Sequence, residues 1–222
     1  VTEPWGELVR RDHVLVAGMP GCGKTPFAVG LIEPARRAAY VDPAGELDAL
    51  GVVVPCDYIA DAVDPKTWEP TDAAPGYAAE LLAGTFCRVV FQPRPGQYAH
   101  DFAAVFALCR AAGPRQLDLA PGLVLFGDEV GDLTRAGCEP LLNELHANGH
   151  KDGVASVLAS PCMTDFPKRC RDTASRVFSF YQKNAADRRA LADEYGDDFA
   201  TAAATWRHPN PPAAWTNPTL HS

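Results

Sequence analysis

"VLVAGMPGCGKTPFAVGLIE", residues 14–33, sets an apolar run, a glycine-rich loop and the start of a helix one after another. Gly18-Met19-Pro20-Gly21-Cys22-Gly23-Lys24-Thr25 has the spacing G-x-x-x-x-G-K-[ST] of a phosphate-binding loop. His13 to Ala17 reads as a buried parallel strand leading into the loop. Pro26 to Ile32 can open a helix behind it, with Pro26 in the first turn, where no backbone N–H is needed. Gly18, Gly21 and Gly23 let the chain turn tightly enough for successive N–H groups to converge on phosphate oxygens. The helix N-terminus adds partial positive charge. Lys24 is expected to reach the β and γ phosphates and the Thr25 hydroxyl to ligate Mg²⁺, with Pro20, Cys22 and Pro26 completing the nucleotide-binding loop. Cys22 lies beside Lys24 and the helix N-terminus, which both favour a thiolate and predict a lowered pKa.

The rest of the composition bounds the answer. A chain of 222 residues with 47% apolar content is long enough for one full core. The expected division is a nucleotide-binding α/β domain over residues 1–206 and a proline-rich tail over 207–222. No apolar run reaches the roughly 18 residues of a membrane span, and no signal-peptide pattern opens the sequence. A net charge of −8 argues against a broadly basic nucleic-acid binder and leaves room for local patches. The seven cysteines form no C-x-x-C pair and read as reduced thiols.

Apolar runs and helical periodicity alternate along the chain as in a parallel α/β sheet. Strands are predicted over 14–17, 38–41, 88–92, 123–126, 154–159 and 176–180, and helices over 27–37, 100–112, 139–147 and 185–195. Residues 55–80 read as an excursion with short helices. "RHPNPPAAWTNPTLHS", residues 207–222, reads as neither helix nor strand, although Trp215 offers one large group worth burying.

"GLVLFGDEVGDL", residues 122–133, supplies the second half of a nucleotide site. A buried strand, Leu123 to Phe126, ends in Asp128-Glu129 and brings carboxylates beside the loop. Asp128 is expected to hold Mg²⁺ with Thr25, and Glu129 to polarise an attacking water as general base. Guanine-reading N-K-x-D, transporter L-S-G-G-Q and D-E-A-D signatures are absent, so the nucleotide is read as ATP and the reaction as hydrolysis.

From residue 86 to 196 the sequence resembles the HerA–FtsK superfamily of DNA-pumping ATPases, and within it the genome-packaging ATPases of membrane-containing icosahedral viruses. "FCRVVFQPRP", "GLVLFGDEVGDL", "LLNELHANGHKDGVASVLAS" and "RVFSFYQKNAADRRALADEYG" carry the likeness. It implies a RecA-like three-layer P-loop domain, with Walker A and Walker B motifs, that couples ATP hydrolysis to moving double-stranded DNA. It further implies a homo-oligomeric ring, often a hexamer, grip on the DNA backbone irrespective of sequence, and capsid or vertex proteins as partners. Such a protein works in the host cytoplasm or at the packaging vertex of the virion. Asn148-Gly149-His150-Lys151 takes the place of the superfamily's turn, without its arginine. The strand after the turn ends in relatives on a glutamine that senses the γ phosphate; here it runs into Ser160, which becomes the sensor candidate.

Lys168, Arg169, Arg171, Arg176, Lys183, Arg188 and Arg189 outnumber Asp172 and Asp187 in one stretch of an acidic protein. This stretch reads as a solvated surface, as phosphate contacts to DNA, or as the source of an arginine finger, for which Arg171 and Arg176 are favoured over Arg169 and Arg188. His146 and His150 lie four apart as in a metal pair. No third ligand stands nearby, and a solvated or capping role suits them better. Two other functions share the same P-loop: an ATPase for secretion or filamentous-phage extrusion, and a small-molecule kinase or nucleotide-sensing regulator.

Overall fold

A computed structural model describes residues 12–82, 84, 86–112, 123–206 and 210–216. The architecture is one sheet of eight strands, in the order β3-β4-β2-β5-β6-β1-β7-β8. The strands are β1 (His13–Ala17), β2 (Arg37–Val41), β3 (Val52–Pro55), β4 (Cys87–Gln92), β5 (Leu123–Gly127), β6 (Val154–Ser160), β7 (Arg176–Ser179) and β8 (Ala213–Thr216). All neighbours pair in parallel except β8, which runs antiparallel to β7. The helices are α1 (Lys24–Ile32), α2 (Ala74–Leu81), α3 (Tyr98–Ala111), α4 (Val130–Arg135), α5 (Glu139–Asn148), α6 (Lys168–Thr173), α7 (Ala185–Tyr195) and α8 (Asp197–Thr205).

Side chains alternate across the strands and build a core on each face of the sheet. Val14, Val16, Tyr40, Phe126 and Phe178 pack with Ala28, Leu31 and Ile32 of α1 on one face. Leu15, Val41, Phe91, Leu125 and Leu158 pack with residues of α2, α3, α5, α7 and α8 on the other. These are the three layers that the RecA-like reading requires.

Three sequence expectations need correction. The first helix ends at Ile32, not at residue 37, because Pro34 has no N–H to return to Gly30; Arg37 opens β2 instead. Within the excursion at 55–80, α2 forms as expected, but the short strand β3 before it went unread and occupies a sheet edge. In the tail, Ala213–Thr216 is a strand after all, paired Val177↔Trp215 and Ser179↔Ala213. As an edge strand it tolerates the prolines at 211 and 212 just before it. Trp215 packs on the core, its ring 4.7 Å from that of Tyr195. Residues 207–209 and 217–222 of the same tail lie outside the described residues.

Candidate active site

The parallel register levels the strand ends. Ala17 lies beside Ser160, and Gly127 beside Leu158, so β1, β6 and β5 finish together at one edge of the sheet. Ligand sites of open α/β sheets form outside this carboxyl edge.

The loop after β1 is anchored at its base by Gly18 N–H on the Ser160 carbonyl (3.2 Å), while Phe180 N–H bonds the Ala17 carbonyl (2.8 Å). A Cβ on Gly18 would stand 2.5 Å from Phe180 Cβ, so only glycine lets that aromatic residue close against the loop. Gly23 has φ 93°, the left-handed region, and immediately precedes α1. Lys24, the first residue of the helix, is only 6% exposed. No carboxylate lies within ion-pairing distance of it among the described residues. Lys24 is near enough to Glu129 to lower its pKa, and a largely buried cation outside any ion pair gains from an anionic ligand.

Thr25 Oγ1 donates to Asp128 Oδ2 at 2.7 Å, tying the loop to the end of β5. The other carboxylate oxygen of Asp128 accepts Glu129 N–H (2.9 Å), and the Tyr98 hydroxyl donates to its carbonyl. A hydroxyl and a carboxylate already in contact at the mouth of a phosphate-type loop are the hard oxygen donors that a hydrated Mg²⁺ takes, so the residues fit that ion. Glu129 caps α4 in a left-handed conformation, φ 52° and ψ 43°, unusual for a residue with a Cβ. Burial raises the pKa of its carboxyl, the neighbouring Asp128 adds to this, and Lys24 opposes it.

The structure assigns Ser160 a different task from the expected sensor. Its hydroxyl is fully buried and engaged at both ends, donating to Asp165 Oδ2 (2.6 Å) and accepting Gly131 N–H (3.3 Å). The two favoured finger arginines are likewise committed within the chain. Arg171 Nε donates to the Glu194 carboxylate at 2.8 Å and its Nη1 to the Phe166 carbonyl at 2.6 Å. Arg176, 6% exposed, pairs with buried Asp12 at the amino end of β7, the edge opposite the loop. Both therefore make ion pairs within their own chain.

The basic stretch is largely neutralised as well, since Lys168 pairs with Asp172 (2.9 Å) and Arg189 approaches Asp193 (3.8 Å). Arg188 turns back onto the Lys183 carbonyl at 2.6 Å. Arg169 and Lys183 make no ion pair among the described residues.

Cys22 also departs from expectation. Its pKa is raised, because burial outweighs Lys24 and the backbone N–H groups that favour the thiolate. The residue is half-buried, its sulfur 2.8 Å from where a Cβ on Gly18 would stand. His146 is buried rather than solvated, its ring stacked 4.8 Å from that of His13, and no metal-binding cluster forms among the described residues. Tyr98 and Asp165 were not singled out from the sequence. Each acts through a contact spanning 30 or 31 positions, the Tyr98 hydroxyl donating to the Asp128 carbonyl and the Asp165 carbonyl accepting the Thr134 hydroxyl, and no local pattern announces such contacts.

No protein-family model matches the chain, and no curated protein matches its sequence. Solved structures do match. The genome packaging NTPase B204 of Sulfolobus turreted icosahedral virus 2, in complex with AMP, aligns over 94% of both chains at 14% identity and TM-score 0.59. B204, the DNA-packaging ATPase of Sulfolobus turreted icosahedral virus, aligns over 89% of this chain and 88% of its own at 14% identity and TM-score 0.61. The bacterial conjugative coupling protein TrwB aligns over 84% of this chain and 72% of its own at 15% identity and TM-score 0.51. At these identities the likeness shows the fold, a RecA-like P-loop architecture that this chain shares with them.

Proposed function

We propose that the protein is an ATP-driven translocase of double-stranded DNA, of the viral genome-packaging type. The observation that carries the chemical half of this reading is the 2.7 Å contact between Thr25 and Asp128, which joins the phosphate-type loop to the acidic strand end. The motor half draws support from the match to the B204 packaging ATPases along nearly the whole chain.

In this reading the loop N–H groups and Lys24 bind the triphosphate, and the Lys24 ammonium neutralises charge on its terminal phosphates. Thr25 and Asp128 would hold Mg²⁺. The ion, when bound, screens phosphate charge and polarises the terminal phosphate. Glu129 accepts a proton from the attacking water, and a raised pKa makes its carboxylate a stronger base for that step. Gly18, Pro20, Gly21, Cys22, Gly23 and Pro26 shape the cradle. The subunits form a ring, taken as a hexamer, that grips the phosphate backbone rather than base edges, because a motor must run over every sequence. Capsid or vertex proteins are its docking partners. Among the described residues no helix is long and apolar enough to cross a membrane.

The test is ATP turnover with and without long duplex DNA, for the wild type and for Glu129→Gln. The expected result is turnover stimulated by long duplex more than by short, and a fall of about 10²–10⁴-fold in Glu129→Gln with ATP still bound. Turnover indifferent to DNA would remove the translocase assignment, and transfer of phosphate to a small molecule would replace it by a kinase. Near-normal turnover in Glu129→Gln would overturn the base.

A further inference from the structure

Beyond the residues that would touch the nucleotide, a chain of hydrogen bonds ties the end of β6 to the turn that carries Glu129. Ser160 Oγ accepts Gly131 N–H at 3.3 Å and donates its own proton to Asp165 Oδ2 at 2.6 Å. The same carboxylate oxygen accepts Cys162 N–H at 3.2 Å, while the Asp165 carbonyl accepts the Thr134 hydroxyl at 2.8 Å. The carboxylate is seated directly on the first turn of α4: a Cβ added to Gly131 would meet Asp165 Cγ at 2.8 Å. Asp165 therefore bonds to β6 and α4 at once.

Glu129 needs such a support. Its left-handed backbone is strained for a residue with a Cβ and persists only where the surroundings impose it. On one side Asp128 Oδ1 holds its N–H. On the other side, two residues on, the Ser160 hydroxyl holds Gly131 N–H.

We infer that Asp165, acting through Ser160, is a positioning residue for Glu129. The carboxylate takes the Ser160 proton, which turns a hydroxyl lone pair toward Gly131 N–H and fixes the turn from which Glu129 projects. The inference rests on the reading of Glu129 as the base.

The experiment compares kcat, KM and the Kd of a fluorescent ATP analogue for Ser160→Ala, Asp165→Ala and Asp165→Asn. Ser160→Ala and Asp165→Ala should lower kcat about ten- to a hundredfold, the scale of a slightly misplaced catalytic group, with Kd within about twofold of wild type. Asp165→Asn keeps an oxygen that accepts the Ser160 proton and should return kcat to within about threefold of wild type. The double alanine variant should be no slower than the slower single one, because the two residues act in series. The inference is overturned if both alanine variants keep wild-type kcat, if the asparagine variant is as slow as Asp165→Ala, or if Kd worsens in step with kcat. Should Asp165→Ala fail to fold, Ser160→Ala and Asp165→Asn still decide the matter. Glu129→Gln, measured alongside, separates the two failures. Fast turnover there removes the base itself, whereas slow turnover there beside normal Ser160→Ala and Asp165→Ala removes only the positioning role.

Discussion

At the amino ends of β1 and β7, Arg176 is 6% exposed and paired with Asp12; at the carboxyl edge, Lys24 is also 6% exposed and has no carboxylate in reach among the described residues. The same contrast extends around each cation. His13 lies at the amino end, with Nδ1 2.9 Å from Ser156 Oγ and its ring stacked on His146. At the carboxyl edge stand a glycine loop and a glutamate in the left-handed region. At the amino end the buried arginine is paired within the chain, although His13 Nε2 and His146 Nε2 have no hydrogen-bond partner among the described residues. The other end leaves a buried charge for something that arrives. Burial alone therefore does not mark a site; a largely buried cation outside any ion pair, set beside a glycine loop and a strained glutamate, does.

Reciprocal substitutions should break the comparison if it is wrong. Arg176→Ala strips the counter-charge from a buried carboxylate and is expected to cost about 3–5 kcal/mol of stability. The folded fraction should bind ATP normally. Mixed with Lys24→Ala, it should restore no activity, since Arg176 is paired with Asp12 inside its own chain. Lys24→Ala should do the reverse, leaving stability unchanged or raised by about 1 kcal/mol while abolishing nucleotide binding. Urea titration and nucleotide binding on the two variants check both halves. A stable Arg176→Ala that has lost hydrolysis alone would restore the finger.

Acid should find the amino end first. Burial is the main cause that lowers the His13 pKa to about 4; His150 adds to it and Asp12 opposes it. His146 is likewise lowered, by burial and then by His13. An unfolded histidine takes up its proton near pH 6.5, so between about pH 6.5 and 4 the unfolded state binds more protons and stability falls as pH falls. The stability lost through His13 approaches about 3 kcal/mol at the acid limit and vanishes above about pH 7. Unfolding free energies at stepped pH, wild type against His13→Asn, should show a shallower acid slope in the variant. Equal slopes would mean that His13 does not titrate with unfolding.

How much of this was legible follows from sequence separation. The loop is eight contiguous residues whose chemistry needs no distant partner, and the Asp128-Glu129 strand end is equally local. The parallel α/β core was readable for the same reason, since runs such as Leu123 to Phe126 are buried on both faces. Arg176 was misread because its partner, Asp12, is 164 positions away. Composition presented the stretch at 168–189 as a basic patch, whereas the fold pairs Arg171 with Glu194 and Lys168 with Asp172. Ser160 was misread because its partner, though only five residues on, matters through the helix that both touch. Cys22 was misread because desolvation, which a sequence does not display, outweighs the neighbouring charge.

The smallest expected effect belongs to the sheet edge beyond β7, which sharpens the comparison by lying at neither end of the strands. Trp215 is half-buried, packed on Tyr195 and set opposite Val177 on the outermost strand. Half-burial of an indole implies a loss of about 1–2 kcal/mol on Trp215→Ala, well below the cost of emptying a central core position. The loop is held by β6 and by Phe180, whose ring packs against Phe27 and Trp206. Nucleotide affinity should therefore stay within about twofold of wild type, because substitutions without shared partners add independently. Thermal unfolding and ATP binding of Trp215→Ala measure both. A loss of affinity larger than the loss of stability explains would mean that the edge strand supports the phosphate loop through β7, and the tail would then belong to the site as well as to the sheet.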